Sequence, residues 1–292
     1  MIFRVRHLTT YHYSEPVVLS HHAAHLRPRD WPGQRHHSAT LTISPAPEVL
    51  RDERLDYFGN PTTFFTIQEA HDTLEVEAGF VVETAPALLL PQSGGPPWEQ
   101  VRDGLAEGSG AEMESALDFL FPSTQVPLTG KATEYAEPSF TAGRPLIEAV
   151  QDLSRRIHAD FAFDPVATMV GTPLAEVFDA RRGVCQDFAH VGIACVRAMG
   201  LAARYVSGYI RTMPPPGKEK LVGADASHAW LAVFVPGWGW LDIDPTNNCT
   251  AGEDHIVVAW GRDYDDVSPI KGVVLGGGDH RVDVSVDVME IG

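Results

Sequence analysis

The residue periodicity changes once along this chain, and that change limits the folds it can adopt. Residues 1–90 read as strands and turns. "TLTISP" and "TLEVEAGFVVET" alternate polar and apolar residues, and "YFGNPTTFFTI" places a Gly-Asn-Pro turn before a β-rich run. No helical period of useful length occurs there. This region is therefore predicted to be an antiparallel, β-sandwich-like domain.

Helical periodicity begins at about residue 144, after a segment rich in Gly and Pro. Residues 91–143 contain "PQSGGPPWEQ" and "AEGSGAE", which are typical of a linker, with short helical pieces such as "EMESALDFLF". In "RPLIEAVQDLSRRIHADF" the apolar residues recur on one helical face. "GTPLAEVFDARRG" offers Thr172 as an N-cap and Pro173 at the first helical position. A third helix is predicted to start near Cys185.

Strands return after the third helix, in "ARYVSGYI", "HAWLAVFV" and "GWGWLDID". Residues 144–260 therefore form a core that combines helices with an antiparallel sheet. Two further strands, "GVVL" and "RVDVSVDVM", lie in residues 261–292 and flank a run of three glycines. Because no helix N-terminus follows that run, it indicates a hairpin rather than a phosphate site. The fold class is predicted to be α+β, with the last strands completing one of two domains.

The charge balance excludes two classes of partner. The chain has 22 Lys and Arg against 39 Asp and Glu, a formal charge of −17. Nucleic acids and anionic membranes attract clustered cations, so neither is an expected partner.

The first residues, "MIFRVRHLTTYHYSEPV", lack the apolar stretch of a signal peptide, and three cysteines are too few for a disulfide scaffold. These features predict a cytoplasmic protein with reduced thiols and leave its oligomeric state open.

Cys185 stands two residues after Gly183 and at the predicted start of a helix. The first turn of a helix carries unpaired N–H groups and a partial positive charge, which favour a thiolate. The same N–H groups can bind the oxyanion of a tetrahedral intermediate. The alternative is a buried thiol that only packs, as free cysteines usually do. Cys195, in the middle of the same helix, is expected in the core.

A nucleophilic cysteine needs an imidazole base and a carboxylate that orients it. The segment "DASHAWLAVFVPGWGWLDIDPTNN" supplies His228 and Asp244 on two successive strands. A four-residue loop between those strands would place the two side chains on opposite faces of the sheet. An odd-length loop or a bulge would instead set Asp244 beside Trp230, diagonal to His228. The alternative is that His228 is a strand-edge histidine satisfied by solvent and that Asp244 is a turn-initiating aspartate before Pro245.

Three segments resemble bacterial transglutaminase-like proteins, which are often described as cysteine proteases: "GVCQDFAH", "SHAWLAVFVPGWGWLDIDPTN" and "GRDYDDVSPIKG". The stretch from "YHYSEPV" to "HLRPRD" is similar to the N-terminal β domain of that family. The resemblance implies a papain-like core, with a cysteine-bearing helix on an antiparallel sheet. It places Cys185, His228 and Asp244 at the three catalytic positions.

The reaction that the resemblance implies is acyl transfer. Cys185 would form a thioester with a peptide or protein amide, His228 would act as acid and base, and Asp244 would orient His228. Hydrolysis by water is the expected outcome, with protein crosslinking by an amine, or a non-enzymatic binding module, as alternatives. The backbone N–H of Cys185 is an oxyanion candidate, and Gln186 and Trp230 are weaker candidates for oxyanion or substrate contact. No cofactor is expected, and calcium dependence isn't carried over.

Thirteen histidines raise the question of a metal site. They cluster at His21, His22 and His25 and at the pair 36–37, but none has zinc-like spacing to cysteines, so no metal is expected. His190, five residues after Cys185, lies well round the helix from it and is expected to be a structural hydrogen-bonding residue. Asp187 is expected to stabilise the start of the helix.

Overall fold

The computed structural model describes residues 1–86, 94–108, 111–212 and 225–292. The strands are β1 (Ile2–Ala24), β2 (Gln34–Ser44), β3 (Val49–Leu55), β4 (Pro61–Ile67), β5 (His71–Thr84), β6 (Ala162–Phe163), β7 (Arg182–Gly183), β8 (Ala203–Ile210), β9 (Ser227–Val235), β10 (Gly239–Asp244), β11 (Cys249–Thr250), β12 (His255–Gly261), β13 (Ile270–Gly276) and β14 (His280–Glu290). The helices are α1 (Trp98–Glu107), α2 (Ala111–Glu114), α3 (Gly130–Ala136), α4 (Leu146–Asp160), α5 (Leu174–Ala180), α6 (Cys185–Ala198) and α7 (Tyr264–Val267), with a 3₁₀ turn at Leu117–Phe119.

Strand β1 is the centre of the N-terminal sheet. The strand order is β2-β5-β1-β4-β3, and β13 and β14 also pair with β1. The first half of β1 lies between β5 and β14, and its second half contacts β4 and β13. The register with β5 shifts between His12 and Val17, so one antiparallel sheet curls about β1. The last strands of the chain thus complete the N-terminal sheet.

The N-terminal sheet and the helical part share one hydrophobic core. Phe3 and Val82 of the sheet belong to the same buried cluster as Ala189 of α6. The segment expected as a linker also contributes, since Trp98 and Tyr135 are buried in that cluster. Its residues 91–93 and 109–110 lie outside the described residues. The described helices of this segment therefore pack as part of the core and don't simply connect two domains.

A second sheet, with the order β11-β10-β9-β8-β12, carries the C-terminal half. Helix α6 packs on β9, with Gly192 against Leu231, and α4 packs on α6. The predicted apolar face of α4 is buried throughout. Among the described residues, no helix is both long and apolar enough to cross a membrane.

The predicted N-cap of α5 is wrong by one residue. The cap position is Pro173, whose extended backbone makes no side-chain capping bond. The hydroxyl of Thr172 instead accepts the N–H of Met169 at 3.0 Å. Thr172 therefore stabilises the turn before the helix rather than the helix itself.

Candidate active site

Cys185 is the first residue of α6, because the backbone is extended at Val184 and helical from Cys185 onward. The Oδ2 of Asp187 accepts the N–H of Val184 at 2.8 Å and so satisfies one of the unpaired donors at the helix start. Burial raises the pKa of Asp187, although hydrogen bonds from Thr168 and Val184 act in the opposite direction. The Cys185 side chain is half-buried at this end of the helix.

His228 and Asp244 meet because the β9–β10 hairpin has a three-residue loop. Val235 pairs with Gly239, and this register continues toward Asp244, which falls opposite Trp230 and diagonal to His228. The odd-length loop that the sequence required is thus present. The Nε2 of His228 lies 2.7 Å from Oδ2 of Asp244.

The charges of this pair are set by hydrogen bonds that outweigh burial. Burial alone would lower the pKa of His228, but its hydrogen bonds to Asp244 and Cys185 raise the pKa to about 9. Burial alone would raise the pKa of Asp244, but hydrogen bonds from His228 and His255 hold it well below its usual value. At neutral pH the pair is therefore an imidazolium and a carboxylate, and the imidazolium lies within hydrogen-bonding reach of Cys185.

Asp244 is fully buried and every acceptor direction of its carboxylate is in use. Oδ1 accepts the backbone N–H groups of Thr246 and Asn247 at 2.9 and 3.1 Å. Oδ2 accepts the side-chain amide of Asn247 at 2.6 Å and lies 3.2 Å from Nε2 of His255. These contacts fix the carboxylate oxygen that faces His228.

His255 and Asn247 are site residues that the sequence analysis missed. His255 begins β12, which lies beyond β8 in the sheet, so no local spacing connects it with Asp244. Its Nδ1 accepts the N–H of Gly252 at 3.3 Å, so Nε2 is the nitrogen that carries a proton toward Asp244. Asn247 follows Asp244 by three residues in a turn, and that spacing was the one local signal available.

Comparison with known proteins identifies the family. Residues 3–83 match the bacterial transglutaminase-like N-terminal region, and residues 133–245 match the transglutaminase-like superfamily. An uncharacterized protein of Mycobacterium tuberculosis is 43% identical over 98% of this chain and 92% of its own length. The chain belongs to the transglutaminase-like superfamily.

Two other similarities are more distant. A protein-glutamine gamma-glutamyltransferase of Pseudomonas aeruginosa is 32% identical over 36% of this chain and 18% of its own. The crystal structure of a candidate cysteine protease from Cytophaga hutchinsonii is 20% identical, with a TM-score of 0.76 over 99% of this chain and 90% of that one. The similarity confirms the predicted α+β fold class, in which a transglutaminase-like, papain-like core accompanies a curled N-terminal sheet.

In this transglutaminase-like core, Tyr205 lies on the face of β8 that α6 covers. Its ring is 5.1 Å from that of His190 and 6.3 Å from that of Tyr264. Burial raises the pKa of Tyr205 well above 10, and the nearby Cys185 raises it further. Among the described residues its hydroxyl has no hydrogen-bond partner. The hydroxyl oxygen is not completely enclosed, however, and keeps a small accessible area. Tyr205 is only 2% exposed, so its phenol oxygen lies in a confined position near Cys185.

The weaker candidates have different positions. Trp230 is fully buried beside His228, and its indole N–H donates to Asp242 at 2.9 Å. Its ring also borders a cavity lined by Trp31 and Trp238, so its contact with substrate stays a prediction. Gln186 is half-buried at the start of α6, and its role stays a prediction. His190 accepts the N–H of Tyr264, and burial lowers its pKa to about 4, so it's neutral and structural. Cys195 lies in the core.

The histidine clusters of the N-terminal region make separate contacts. His21 bonds Thr66, His36 bonds Asp30 and His37 bonds Glu83. Among the described residues, a group that could hold a metal ion is His228, Asp244 and His255, whose donor atoms lie within 4.8 Å of one another. Asp244 Oδ2 already bonds Nε2 of both histidines. A metal ion there would take Nε2 of His228, the nitrogen through which Asp244 orients the ring.

Proposed function

We propose that this protein is a cysteine-dependent acyl-transfer enzyme that cleaves an amide or peptide bond of a peptide or protein. The observation that carries the proposal is the chain of contacts from Cys185, at the start of α6, to His228 and on to Asp244. It has the order of nucleophile, base and orienting group that thiol catalysis needs. Since Asp244 occupies Nε2 of His228, Nδ1 is left for the thiol.

The residues act in two steps. The thiolate of Cys185 attacks the amide carbonyl carbon, the C–N bond breaks, and His228 gives its proton to the departing amine. His228 then takes a proton from water, whose oxygen attacks the thioester carbonyl carbon. The C–S bond breaks and releases a carboxylic acid and the Cys185 thiolate beside the protonated His228. Asp244 stays ionised throughout, because its pKa is held well below the working range, and stabilises the imidazolium.

The oxyanion of each tetrahedral intermediate needs hydrogen-bond donors. The backbone N–H of Cys185 is one, since it belongs to the first turn of α6. We assign the hydroxyl of Tyr205 as the second, because it has no other partner and lies near the thiol.

Tyr205→Phe tests this assignment by removing one oxygen atom and keeping the ring. The loss of one oxyanion donor should lower kcat by about a hundredfold while iodoacetamide still alkylates Cys185 at the wild-type rate. Tyr209→Phe is the matched control, since its hydroxyl bonds His7 in the N-terminal sheet. A wild-type kcat in Tyr205→Phe would remove Tyr205 from the mechanism.

Transfer to an amine is a second candidate outcome, favoured by the partial similarity to the Pseudomonas glutamyltransferase. Hydrolysis is preferred because water needs no binding site of its own, whereas an amine must be held while water is excluded. A binding module without activity is disfavoured by the intact set of Cys185, His228 and Asp244.

The test is to incubate the protein with a library of peptide amides, with and without a dansylated alkylamine, and to read products by mass spectrometry. Hydrolysis gives new acids, and transamidation gives dansylated peptides. Cys185→Ala should abolish both, since no thioester can form. Equal product from wild type and Cys185→Ala, or none from a broad library with a thiol of ordinary reactivity, would refute the proposal.

A further inference from the structure

An exposed apolar loop lies directly before α5 and beside Cys185. Four large apolar side chains occur within eight residues of it, and we call them the apolar rim. The exposed fractions are 58% for Phe163, 87% for Val166, 83% for Met169 and 68% for Val170. Single exposed apolar residues are ordinary, but such a concentration at one place is typical of a contact surface.

Backbone pairing ties this loop to the residues just before the nucleophile. Phe163 of β6 pairs with Gly183 of β7, two residues before Cys185. The N–H of Asp164 donates to the carbonyl of Gly183 at 2.9 Å. The rim therefore begins next to the start of α6.

A second tether joins the middle of the loop to α6 itself. The hydroxyl of Thr168 donates to Oδ2 of Asp187 at 2.6 Å, the same oxygen that accepts the N–H of Val184. Asp187 thus connects the helix start with the loop. This contact holds the middle of the loop beside the start of α6.

The loop folds through its polar residues and doesn't need the exposed apolar side chains. The carboxylate of Asp164 accepts the N–H of Val166 at 3.1 Å, and Thr172 accepts that of Met169. Asp164 is also the one charged residue between positions 161 and 172. A charged substrate side chain would thus find little pairing here, whereas an apolar one would bury surface from both sides.

We infer that the apolar rim is a substrate subsite that selects peptides with bulky apolar side chains next to the bond that Cys185 attacks. This rests on the proposed function and adds the substrate class. The occupant is an apolar segment of the acyl donor, since the rim borders the nucleophile. A contact surface for a second copy of the chain would not need to be bonded to the residues around Cys185.

Two matched peptidyl chloromethyl ketones test the inference, one with Leu and one with Ser at the two positions nearest the reactive group. In each case the sulfur of Cys185 displaces chloride and forms a C–S bond. Modification rates at Cys185 are read by peptide mass spectrometry and divided by the iodoacetamide rate. Wild type should prefer the Leu probe by about tenfold or more.

The double variant Val166→Ser/Met169→Ser should reduce that preference to near onefold and leave the iodoacetamide rate unchanged. Both side chains are more than four-fifths exposed, so folding should be unaffected. Val273→Ser is the control, since Val273 is 75% exposed on β13, in the N-terminal sheet. Equal rates for the two probes in wild type, or a preference that survives the double variant, would overturn the inference.

A failure of the proposed function would show separately. If iodoacetamide labels wild-type Cys185 no faster than an ordinary thiol, the nucleophile fails while the rim remains testable. Calorimetric binding of Leu and Ser peptides without a reactive group to Cys185→Ser then measures the rim directly. Tighter binding of the Leu peptide that is lost in the rim variant supports the subsite, and equal binding refutes it.

Discussion

His228→Ala should slow the alkylation of Cys185 by iodoacetamide at pH 6 by roughly a hundredfold. An isolated cysteine thiol, with a pKa near 8.5, is ionised to well under ~1% at that pH, and only the thiolate reacts. In the wild type the thiol hydrogen-bonds to His228, whose pKa of about 9 keeps it positively charged at pH 6. His228→Ala removes this positively charged partner, and the rate should fall accordingly. Peptide mass spectrometry across pH 5–9 measures it.

The other two cysteines are internal controls in the same digest. Cys195 is fully buried, and burial raises the pKa of its thiol. Partial burial, with Asp244 and Asp254 nearby, raises the pKa of Cys249 to about 11. Neither should react quickly at pH 6 in either protein. An equal rate at Cys185 with and without His228 would contradict a thiolate–imidazolium pair and favour the binding-module alternative.

Asp244→Asn should lower kcat by roughly a thousandfold and destabilise the fold. An amide in place of the carboxylate can donate to Nε2 of His228, which reverses the proton arrangement of the ring and removes the charge that stabilises the imidazolium. Replacing one member of a buried, fully bonded pair costs about 3 kcal/mol of the free energy of unfolding. Urea unfolding and kcat with the best library peptide measure the two effects.

Asp242→Asn is the matched control. Asp242 lies two residues earlier on β10 and accepts the indole N–H of Trp230 at 2.9 Å without contacting His228. It should lose some stability and keep its kcat. A kcat in Asp244→Asn that matches the one in Asp242→Asn would show that Asp244 has only a structural role.

Asp244→Asn should also change how the free energy of unfolding depends on pH. The pKa of His228 is raised on folding, so its contribution is complete below about pH 6.5 and is lost as the pH rises through about 9. The pKa of Asp244 is lowered, so its contribution is present above about pH 4 and is lost as the pH falls below that. Asp244→Asn should therefore remove most of the stability gain between about pH 4 and 9.

Much of this site follows from short-range patterns. Helical spacing and the preceding Gly183 predict that α6 begins near Cys185, and strand alternation places His228 and Asp244 on defined faces. The face argument also predicts that only an odd-length loop brings the two together, and the three-residue loop of the hairpin satisfies this. The prediction of Thr172 as the N-cap was wrong because its hydroxyl accepts the N–H of Met169 in the preceding turn. Local propensity alone doesn't determine which nearby N–H group a threonine hydroxyl accepts.

The sequence by itself determined the fold class, the helix that starts at Cys185 and the pairing requirement between His228 and Asp244. These depend on backbone periodicity and on hydrogen bonds between residues close in the chain. Only the tertiary structure decided that His255 contacts Asp244, that the last strands complete the N-terminal sheet, and that an apolar loop begins beside the start of α6. Those contacts depend on which distant surfaces are buried against each other, and that is settled by the packing of the whole core rather than by any local pattern.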